Sequence, residues 1–255
     1  MLFTKEYEIK YYEQNVNGDL KESALLNFLQ DIATLSAESL GFGPSFVFAN
    51  NYAWVVLKYH IELFAPLRNL SSIVIKTEPR GIAKLYAYRD FELYTKDGQC
   101  IGKAVSTWVL IDICTRKLLN TQKILADFMA PYQKRETDLV YEKIDSPDEL
   151  MYQEVFDVRF DDIDVNRHAN NSNYIVWALE TLPVDFRLKH SPKTIDIKYK
   201  KEIGLNARVL SEAQQILTDS NVQTLHVIKD EQNSQELTSL KICLLYTSPS
   251  PRDRG

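Results

Sequence analysis

The sequence predicts an α+β fold that is built twice, with each half an antiparallel sheet wrapped around a central helix. Two observations carry this prediction: an internal repeat relates the two halves, and each half runs from one apolar-faced helix into several long strands. At 255 residues, 45% of them hydrophobic and 25% charged, the chain is long enough to bury two such cores.

The internal repeat aligns residues 7–31 with residues 156–180 without a gap, at a shift of 149 (156 − 7). Further along, LKYHIE at residues 57–62 matches IKYKKE at residues 197–202, at a shift of 140 (202 − 62). The nine residues lost between the two shifts (149 − 140) fit a shorter helix or connection in the second half. Each half therefore reads as strand, turn, helix and then strands.

In the first half, a helix is predicted over residues 22–40, because apolar side chains recur at the spacing of one helical face. Those side chains are Leu25, Phe28, Leu29, Ile32, Ala33 and Ser36. Ser23, or Asp19 with Glu22, can cap the start of this helix, and Gly41 is placed to end it. The strands that follow are rich in β-branched and aromatic residues: YAWVVLKYHIELF, SSIVIKTEP, KLYAYRDFELYTK and QCIGKAVSTWVLIDI.

A charged stretch without periodicity, residues 131–150, is predicted to connect an N-terminal half, residues 1–130, to a C-terminal half, residues 151–242. The second half repeats the plan with a short helix closed by Pro183, followed by KTIDIKYKKEI, ARVLSEAQQIL, VQTLHVIKDE and ELTSLKI. The final segment, CLLYTSPSPRDRG at 243–255, breaks the alternation with Ser, Pro and Arg. It is interpreted as a translated sequencing adapter, with a natural disordered tail as the alternative.

Composition argues against several classes of protein. The formal net charge of −5 disfavours a nucleic-acid binder, and no apolar run approaches the roughly 20 residues of a membrane helix. The N-terminus lacks the basic-then-apolar pattern of a secretory signal. The cysteines, Cys100, Cys114 and Cys243, form no CxxC pair and no metal-ligand cluster. We therefore expect a cytoplasmic protein without a metal or organic cofactor.

The strongest chemical signal is DDIDVNRHANNSNYIVWALETLP at residues 161–183, in which Asp164, Asn166 and His168 occupy every second position. These residues suit a turn followed by a helix cap, since Asp and Asn favour both. They also suit water activation, because a carboxylate or imidazole can accept a proton from water and an amide can donate to developing negative charge. The segment alone leaves both interpretations open.

The same segment, with IKYKKEIG at residues 197–204, resembles the catalytic half of the acyl-acyl carrier protein (ACP) thioesterases, which have a double hotdog fold. NGDLKESALLNFLQDIA, WVVLKYHIELFAP and GKAVSTWVLIDICTRKL resemble the N-terminal hotdog of that family, so the similarity covers about residues 4–242. The resemblance implies hydrolysis of fatty acyl-ACP to free fatty acid and ACP. Some plant members carry a cysteine directly after the catalytic glutamate, whereas this chain has Ile203, so thiol chemistry is not available there.

Carried over residue by residue, the resemblance implies that the active site is formed by Asp164, Asn166, His168 and Glu202. We expect Glu202 or Asp164 to be the base for water, and the sequence does not decide between them. His168 would position and polarise the water, and Asn166 would hold the water or a substrate oxygen. Alternative functions are an acyl-coenzyme A thioesterase, another hotdog enzyme such as a dehydratase, or a non-catalytic acyl-binding protein.

The resemblance assigns acyl-chain binding to the N-terminal half, where the positions matching the trio hold Asn15, Asn17 and Asp19 and no histidine. The predicted acyl-binding side chains are Phe28, Ile32, Trp54 and Trp108. A predicted docking patch for the acidic carrier protein consists of Lys198, Lys200, Lys201 and Arg208, with a solvated strand face as the alternative. The oligomeric state stays open, with a homodimer among the options.

Overall fold

The computed structural model describes residues 2–218 and 221–247, and ten antiparallel strands dominate it. The strands of the first half are β1 (Phe3–Glu8), β2 (Tyr52–Leu63), β3 (Ser72–Ala83), β4 (Tyr86–Tyr94) and β5 (Cys100–Asp112). Those of the second half are β6 (Tyr152–Asp157), β7 (His190–Tyr199), β8 (Arg208–Leu217), β9 (Val222–Asp230) and β10 (Glu236–Tyr246). The helices are α1 (Glu22–Ser39), α2 (Pro44–Ala49), α3 (Thr121–Ile124), α4 (Asn171–Glu180) and α5 (Val184–Leu188).

All ten strands form one sheet, and their order displays the duplication. The sheet runs β1-β3-β4-β5-β2 through the first half and continues β7-β10-β9-β8-β6 through the second. Read from its outer edge, the second half repeats the order of the first as β6-β8-β9-β10-β7. The two halves meet where β2 pairs with β7, so a single sheet is assembled from two copies of one five-stranded unit.

The offsets between equivalent elements reproduce the sequence repeat. β1 and β6 begin at residues 3 and 152, and α1 and α4 begin at residues 22 and 171, which are shifts of 149 in both cases (152 − 3 and 171 − 22). At the junction, Lys58 pairs with Lys198, a shift of 140 (198 − 58). Because each of these lysines faces its own repeat equivalent, an approximate two-fold axis passes between them.

Helices α1 and α4 pack against each other and against the sheet of their own half. Leu29 and Ile32 of α1 are fully buried, as the helical spacing of the sequence predicts. The start of α1 differs from the predicted capping: Lys21 occupies the cap position without a side-chain hydrogen bond, because Asp19 is held by Arg68. Gly41 follows the helix with a φ of 84°, a conformation that favours glycine.

The connection between the halves, residues 132–150, contains no helix or strand, yet it is fixed to the outer face of the sheet. The hydroxyl of Thr107 donates to the hydroxyl of Tyr141 at 2.8 Å. Glu142 forms a close ion pair with Lys241 of β10. The connection therefore covers the outer side of the β2–β7 junction, opposite the helices.

The last strand extends beyond the break that the sequence predicts at residue 243. Residues 243–246 continue β10 and pair with β7, from Cys243 opposite Thr194 to Tyr246 opposite His190. The pairing register shifts between Cys243 and Leu244, at the position where the sequence loses its alternation. Residues 248–255, which carry most of the predicted adapter, lie outside the described residues. Within the described chain, no helix is both long and apolar enough to cross a membrane.

Candidate active site

The loop before α4 holds Asp164, Asn166 and His168 in a tight turn. The backbone N–H of Asp164 donates to the carbonyl of His168 at 2.8 Å, and Arg167 at the tip has a φ of 65°. The N–H of Ala169 donates to the carbonyl of Ile203 at 2.8 Å. This last bond ties the loop to the segment that follows β7, and it brings Glu202 beside the loop although the two are far apart in sequence.

Glu202 and His168 approach each other at the edge of this loop. His168 Nδ1 lies 3.5 Å from Glu202 Oε2, and the two side chains are 32% and 36% exposed. The Nδ1 atom is itself buried and has no hydrogen-bond partner among the described residues. The nearby carboxylate is therefore placed to orient the imidazole, while both side chains stay reachable by water.

Asp164 is engaged differently, because its carboxylate supports the loop. One oxygen of Asp164 accepts a hydrogen bond from the backbone N–H of Asn166 at 2.8 Å. The other oxygen lies 3.4 Å from the side-chain amide nitrogen of Asn166. Asn170 caps α4 by accepting from the N–H of Ser172 at 2.9 Å. Turn-and-cap chemistry and a polar cluster are thus both present in this segment.

Arg116, from the first half, joins this cluster and was not expected from the sequence. It follows β5 in a turn closed by a 2.9 Å bond from its own N–H to the carbonyl of Asp112, with a φ of 57°. Its guanidinium forms a close ion pair with Glu202 Oε2, the same oxygen that faces His168. The contact crosses between the halves, so no spacing within either repeat could reveal it.

We predict that Arg116→Gln lowers kcat about tenfold and leaves KM nearly unchanged, since Arg116 holds Glu202 through one charged contact without facing the cavity. Arg116→Lys should recover part of the loss. Steady-state kinetics on one thioester substrate provide the measurement. A rise in KM with unchanged kcat would instead place Arg116 in substrate binding.

The equivalent loop of the first half holds a buried aspartate in place of the histidine. Asp19 occupies the position equivalent to His168 (168 − 149 = 19) and is only 6% exposed. It accepts two hydrogen bonds from the guanidinium of Arg68, at 2.9 and 3.0 Å. A buried structural ion pair therefore replaces the accessible histidine in this copy of the fold.

An apolar cavity of about 280 Å³ lies in the first half and reaches the polar loop. Its walls come from α1, α2, β2, β4 and β5, and its lining includes Val165 and Asn166 of the second half. Trp54 and Trp108, two of the predicted acyl-binding residues, line it. The cavity therefore connects the half whose equivalent loop lacks a histidine to the loop that carries His168.

Phe28 and Ile32, the other two predicted acyl-binding residues, lie in the core instead. Phe28 is 8% exposed and stacks on Tyr7 with ring centroids 4.6 Å apart, while Ile32 is fully buried. The face of α1 that lines the cavity presents smaller side chains: Gln30, Ala33, Thr34 and Ala37. Helix α1 therefore lines the cavity through small side chains, whereas Phe28 and Ile32 lie outside the lining.

The predicted docking patch is partly neutralised by neighbouring acids. Lys200 forms a close ion pair with Glu236, and Arg208 lies 3.4 Å from Asp157 and 3.3 Å from Glu231. Lys198 and Lys201 are exposed. Strand β7 ends at Tyr199, so Lys200 and Glu202 lie beyond the strand. The N–H groups of Lys200 and Lys201 both donate to the carbonyl of Leu237, at 2.8 and 3.1 Å.

The fold and the site together define a duplicated sheet protein with a polar loop at one edge of an apolar cavity. The model of the acyl-ACP thioesterase N-terminal domain matches residues 1–132, and that of the C-terminal domain matches residues 145–243. The chain therefore belongs to the acyl-ACP thioesterase family, which confirms the resemblance seen in the sequence.

Similar proteins include two from Arabidopsis thaliana. A chloroplastic palmitoyl-acyl carrier protein thioesterase is 22% identical over 253 residues, covering 90% of this chain and 60% of the relative. A chloroplastic oleoyl-acyl carrier protein thioesterase is 25% identical over 275 residues, covering 92% and 74%. The chain thus spans about 60% of the length of the first of these relatives.

Solved structures share the fold over nearly the whole chain. An oleoyl thioesterase structure from Lactobacillus plantarum has a TM-score of 0.86 at 25% identity and covers 97% of both chains. A 12:0-ACP thioesterase from Umbellularia californica has a TM-score of 0.83 at 19% identity and covers 96% of this chain and 94% of its own. At 19% identity, the similarity to the Umbellularia californica structure supports the fold alone.

Proposed function

We propose that this protein hydrolyses the thioester of fatty acyl-ACP to free fatty acid and ACP. The observation that carries the proposal is the position of the polar loop: Asn166 lines an apolar cavity, and His168 and Glu202 meet on the same loop edge. Family membership and the printed names of the two Arabidopsis relatives support the same reaction.

The fold that we propose is a double hotdog, in which each half is a sheet wrapped around its own helix, α1 or α4. The N-terminal half holds the acyl chain and the C-terminal half carries the chemistry. The division is supported by the closed Asp19–Arg68 pair in one copy and the accessible His168–Glu202 pair in the other.

In the proposed mechanism, Glu202 accepts a proton from water while His168 orients the water oxygen toward the thioester carbon. The oxygen adds to that carbon, and the amide of Asn166 donates to the resulting oxyanion. The C–S bond then breaks, and the proton passes to the leaving thiolate. Asp164 positions Asn166 through its two contacts with that residue.

Glu202 is the stronger candidate for the base because the carboxylate of Asp164 already accepts the loop N–H of Asn166 at 2.8 Å. Protonating Asp164 during turnover would weaken the turn that holds Asn166 in place. Glu202 is contacted by Arg116 and His168, and both of these can stay in place when water approaches.

A thiol-release assay tests the proposed function. Acyl-ACP and acyl-coenzyme A thioesters of matched chain length are supplied to the purified protein, and free thiol is measured over time. Faster release from the ACP series supports the proposal, while faster release from the coenzyme A series would indicate an acyl-coenzyme A thioesterase. Binding of acyl chains without thiol release from either series would indicate a non-catalytic acyl-binding protein.

We propose that ACP docks beside the site, on the exposed Lys198 and Lys201. The double variant Lys198→Glu/Lys201→Glu should raise KM for acyl-ACP about tenfold, because opposite charges on the two partners steer their association. Added salt should likewise raise KM of the wild type for acyl-ACP, because salt screens the attraction between the two partners. KM for a small thioester should not change. Lys134→Glu/Lys143→Glu, at two exposed lysines of the connection, is the charge-matched control.

The compartment that we propose is the cytoplasm. The three cysteines are free in the structure, which suits a reducing environment. The curated plant relatives carry chloroplastic in their names. Fractionation of the source cells with an antibody to this chain tests the assignment.

A further inference from the structure

Arg89 places a buried positive charge in the wall of the apolar cavity. The residue lies on β4, is 5% exposed, and is part of the cavity lining. Its Nη1 atom donates to Ser36 Oγ on α1 at 3.0 Å and to Thr77 Oγ1 on β3 at 3.2 Å. Both acceptors are neutral, and no carboxylate among the described residues pairs with it. Burial lowers the pKa of Arg89 to about 10, so the guanidinium stays charged at neutral pH.

A second buried arginine in the same half shows how unusual this is. Arg80 has a side chain that is 4% exposed, and it is neutralised by Asp90 and Asp138. Unpaired buried charges are costly, so proteins pair them with an opposite charge or satisfy their hydrogen bonds. Arg89 has five N–H donors, and the two hydroxyl contacts both involve Nη1. The Nε and Nη2 atoms donate to no described residue.

The hydroxyl of Tyr59 is a second unsatisfied group close by. Tyr59 is 1% exposed, and its oxygen is buried without a hydrogen-bond partner among the described residues. Burial raises the pKa of Tyr59, and the charge of Arg89 acts against that rise. The Tyr59 ring packs edge-on against Trp108 with centroids 6.4 Å apart, so it lies behind the cavity lining and is not part of it.

A saturated alkyl chain in this cavity would displace water and leave the free N–H groups of Arg89 without partners. A ligand oxygen near Arg89 would accept from these N–H groups. Sites built to hydrogen-bond a substrate hydroxyl discriminate strongly against analogues that lack it, because the buried groups are then left unpaired.

We propose that the cavity selects acyl chains that carry a hydroxyl or keto oxygen, which hydrogen-bonds to Arg89. This inference rests on the proposed function for its thioester context and names the class of acyl chain that the site takes. Arg89 is then a specificity-determining residue, and it makes no contact with the scissile bond.

Binding and kinetics together test the proposal. Affinities for decanoic acid and for the series of monohydroxydecanoic acids, with the hydroxyl at each carbon from β to ω, are measured by calorimetry. We expect at least one hydroxylated acid to bind the wild type about tenfold or more tightly than decanoic acid, as expected for a hydrogen bond to a charged group. The corresponding acyl-ACP thioesters should show the same preference in kcat/KM.

Arg89→Met should abolish the preference for hydroxylated acids, while Tyr59→Phe should leave it in place, because the Tyr59 hydroxyl does not line the cavity. If Arg89→Met does not fold, Arg89→Lys and the wild-type series decide the matter, because lysine keeps the charge without the planar fork. Tyr141→Phe removes a tyrosine hydroxyl that bonds to Thr107 away from the cavity, and it should leave the preference unchanged.

Two outcomes would overturn the inference: no hydroxylated acid binding more tightly than decanoic acid, or a preference that survives Arg89→Met. Failure of the proposed function is distinguishable from these, because it appears as absent thiol release while the affinities for the free acids still report on Arg89.

Discussion

Glu202→Gln is expected to lower kcat about 1000-fold with little change in KM, because general-base catalysis typically contributes about 100- to 10,000-fold. Glutamine preserves the shape of the side chain and removes the group that accepts a proton from water. Single-turnover and steady-state hydrolysis of one acyl-ACP substrate provide the measurement. His168→Ala should give a loss of similar size, and the double variant should be scarcely worse than either single one, since the two side chains act as a unit.

The repeat supplies a matched control for this experiment. Glu62 is the equivalent of Glu202 in the first half (202 − 140 = 62), and it lies on β2 near His60 at the junction of the halves. Glu62→Gln should leave kcat near the wild-type value. Near-normal hydrolysis by both Glu202→Gln and His168→Ala would remove this pair from the mechanism and return the base to Asp164.

The repeat made the duplicated fold predictable, because a duplicated chain must form two similar units, and apolar periodicity located α1 and the strands. The candidate site residues were predicted from the resemblance to the family: Asp164, Asn166, His168 and Glu202. Arg116 could not be found this way, since its contact with Glu202 joins the two halves and depends on where the turn after β5 ends. Phe28 and Ile32 were predicted from their hydrophobicity and lie outside the cavity lining, to which α1 contributes smaller side chains.

His60 shows a further limit of reading residues by local spacing. It shares its own strand with Glu62, but its closest charged partner, Asp196, lies in the other half of the chain. The structure places it 3% exposed, with Nδ1 2.7 Å from Asp196 Oδ1 and Nε2 3.2 Å from Glu62 Oε1. The approximate two-fold axis explains the encounter: His60 and Asp196 lie opposite each other two residues from the Lys58–Lys198 pair on β2 and β7.

Asp196→Asn is expected to lower the free energy of unfolding by about 3 kcal/mol, since removing one partner of a buried ion pair leaves the other charge uncompensated. Burial opposes the charged form of His60, but the hydrogen bond and charge of Asp196, then those of Glu62, raise the pKa of His60 above its usual value. The stabilising contribution of protonated His60 is therefore complete below about pH 6.5, the ordinary histidine pKa. It is lost as pH rises through the raised pKa of His60 in the folded protein.

The loss of unfolding free energy caused by Asp196→Asn, measured by urea unfolding, should accordingly be larger at about pH 6 than at about pH 9. The Glu142–Lys241 pair lies close to the same junction, and neither carboxylates nor lysines titrate at their ordinary pKa in this range. Burial lowers the pKa of His226 to about 3, which gives the opposite pH dependence, but His226 is common to both proteins, so the difference between them reports on His60. Asp157→Asn, at an exposed site that pairs with Arg208, should cost less than about 1 kcal/mol. Equal pH dependence in the wild type and Asp196→Asn would mean that His60 is neutral when folded, and the two halves would then be joined by packing and backbone pairing without a buried charge.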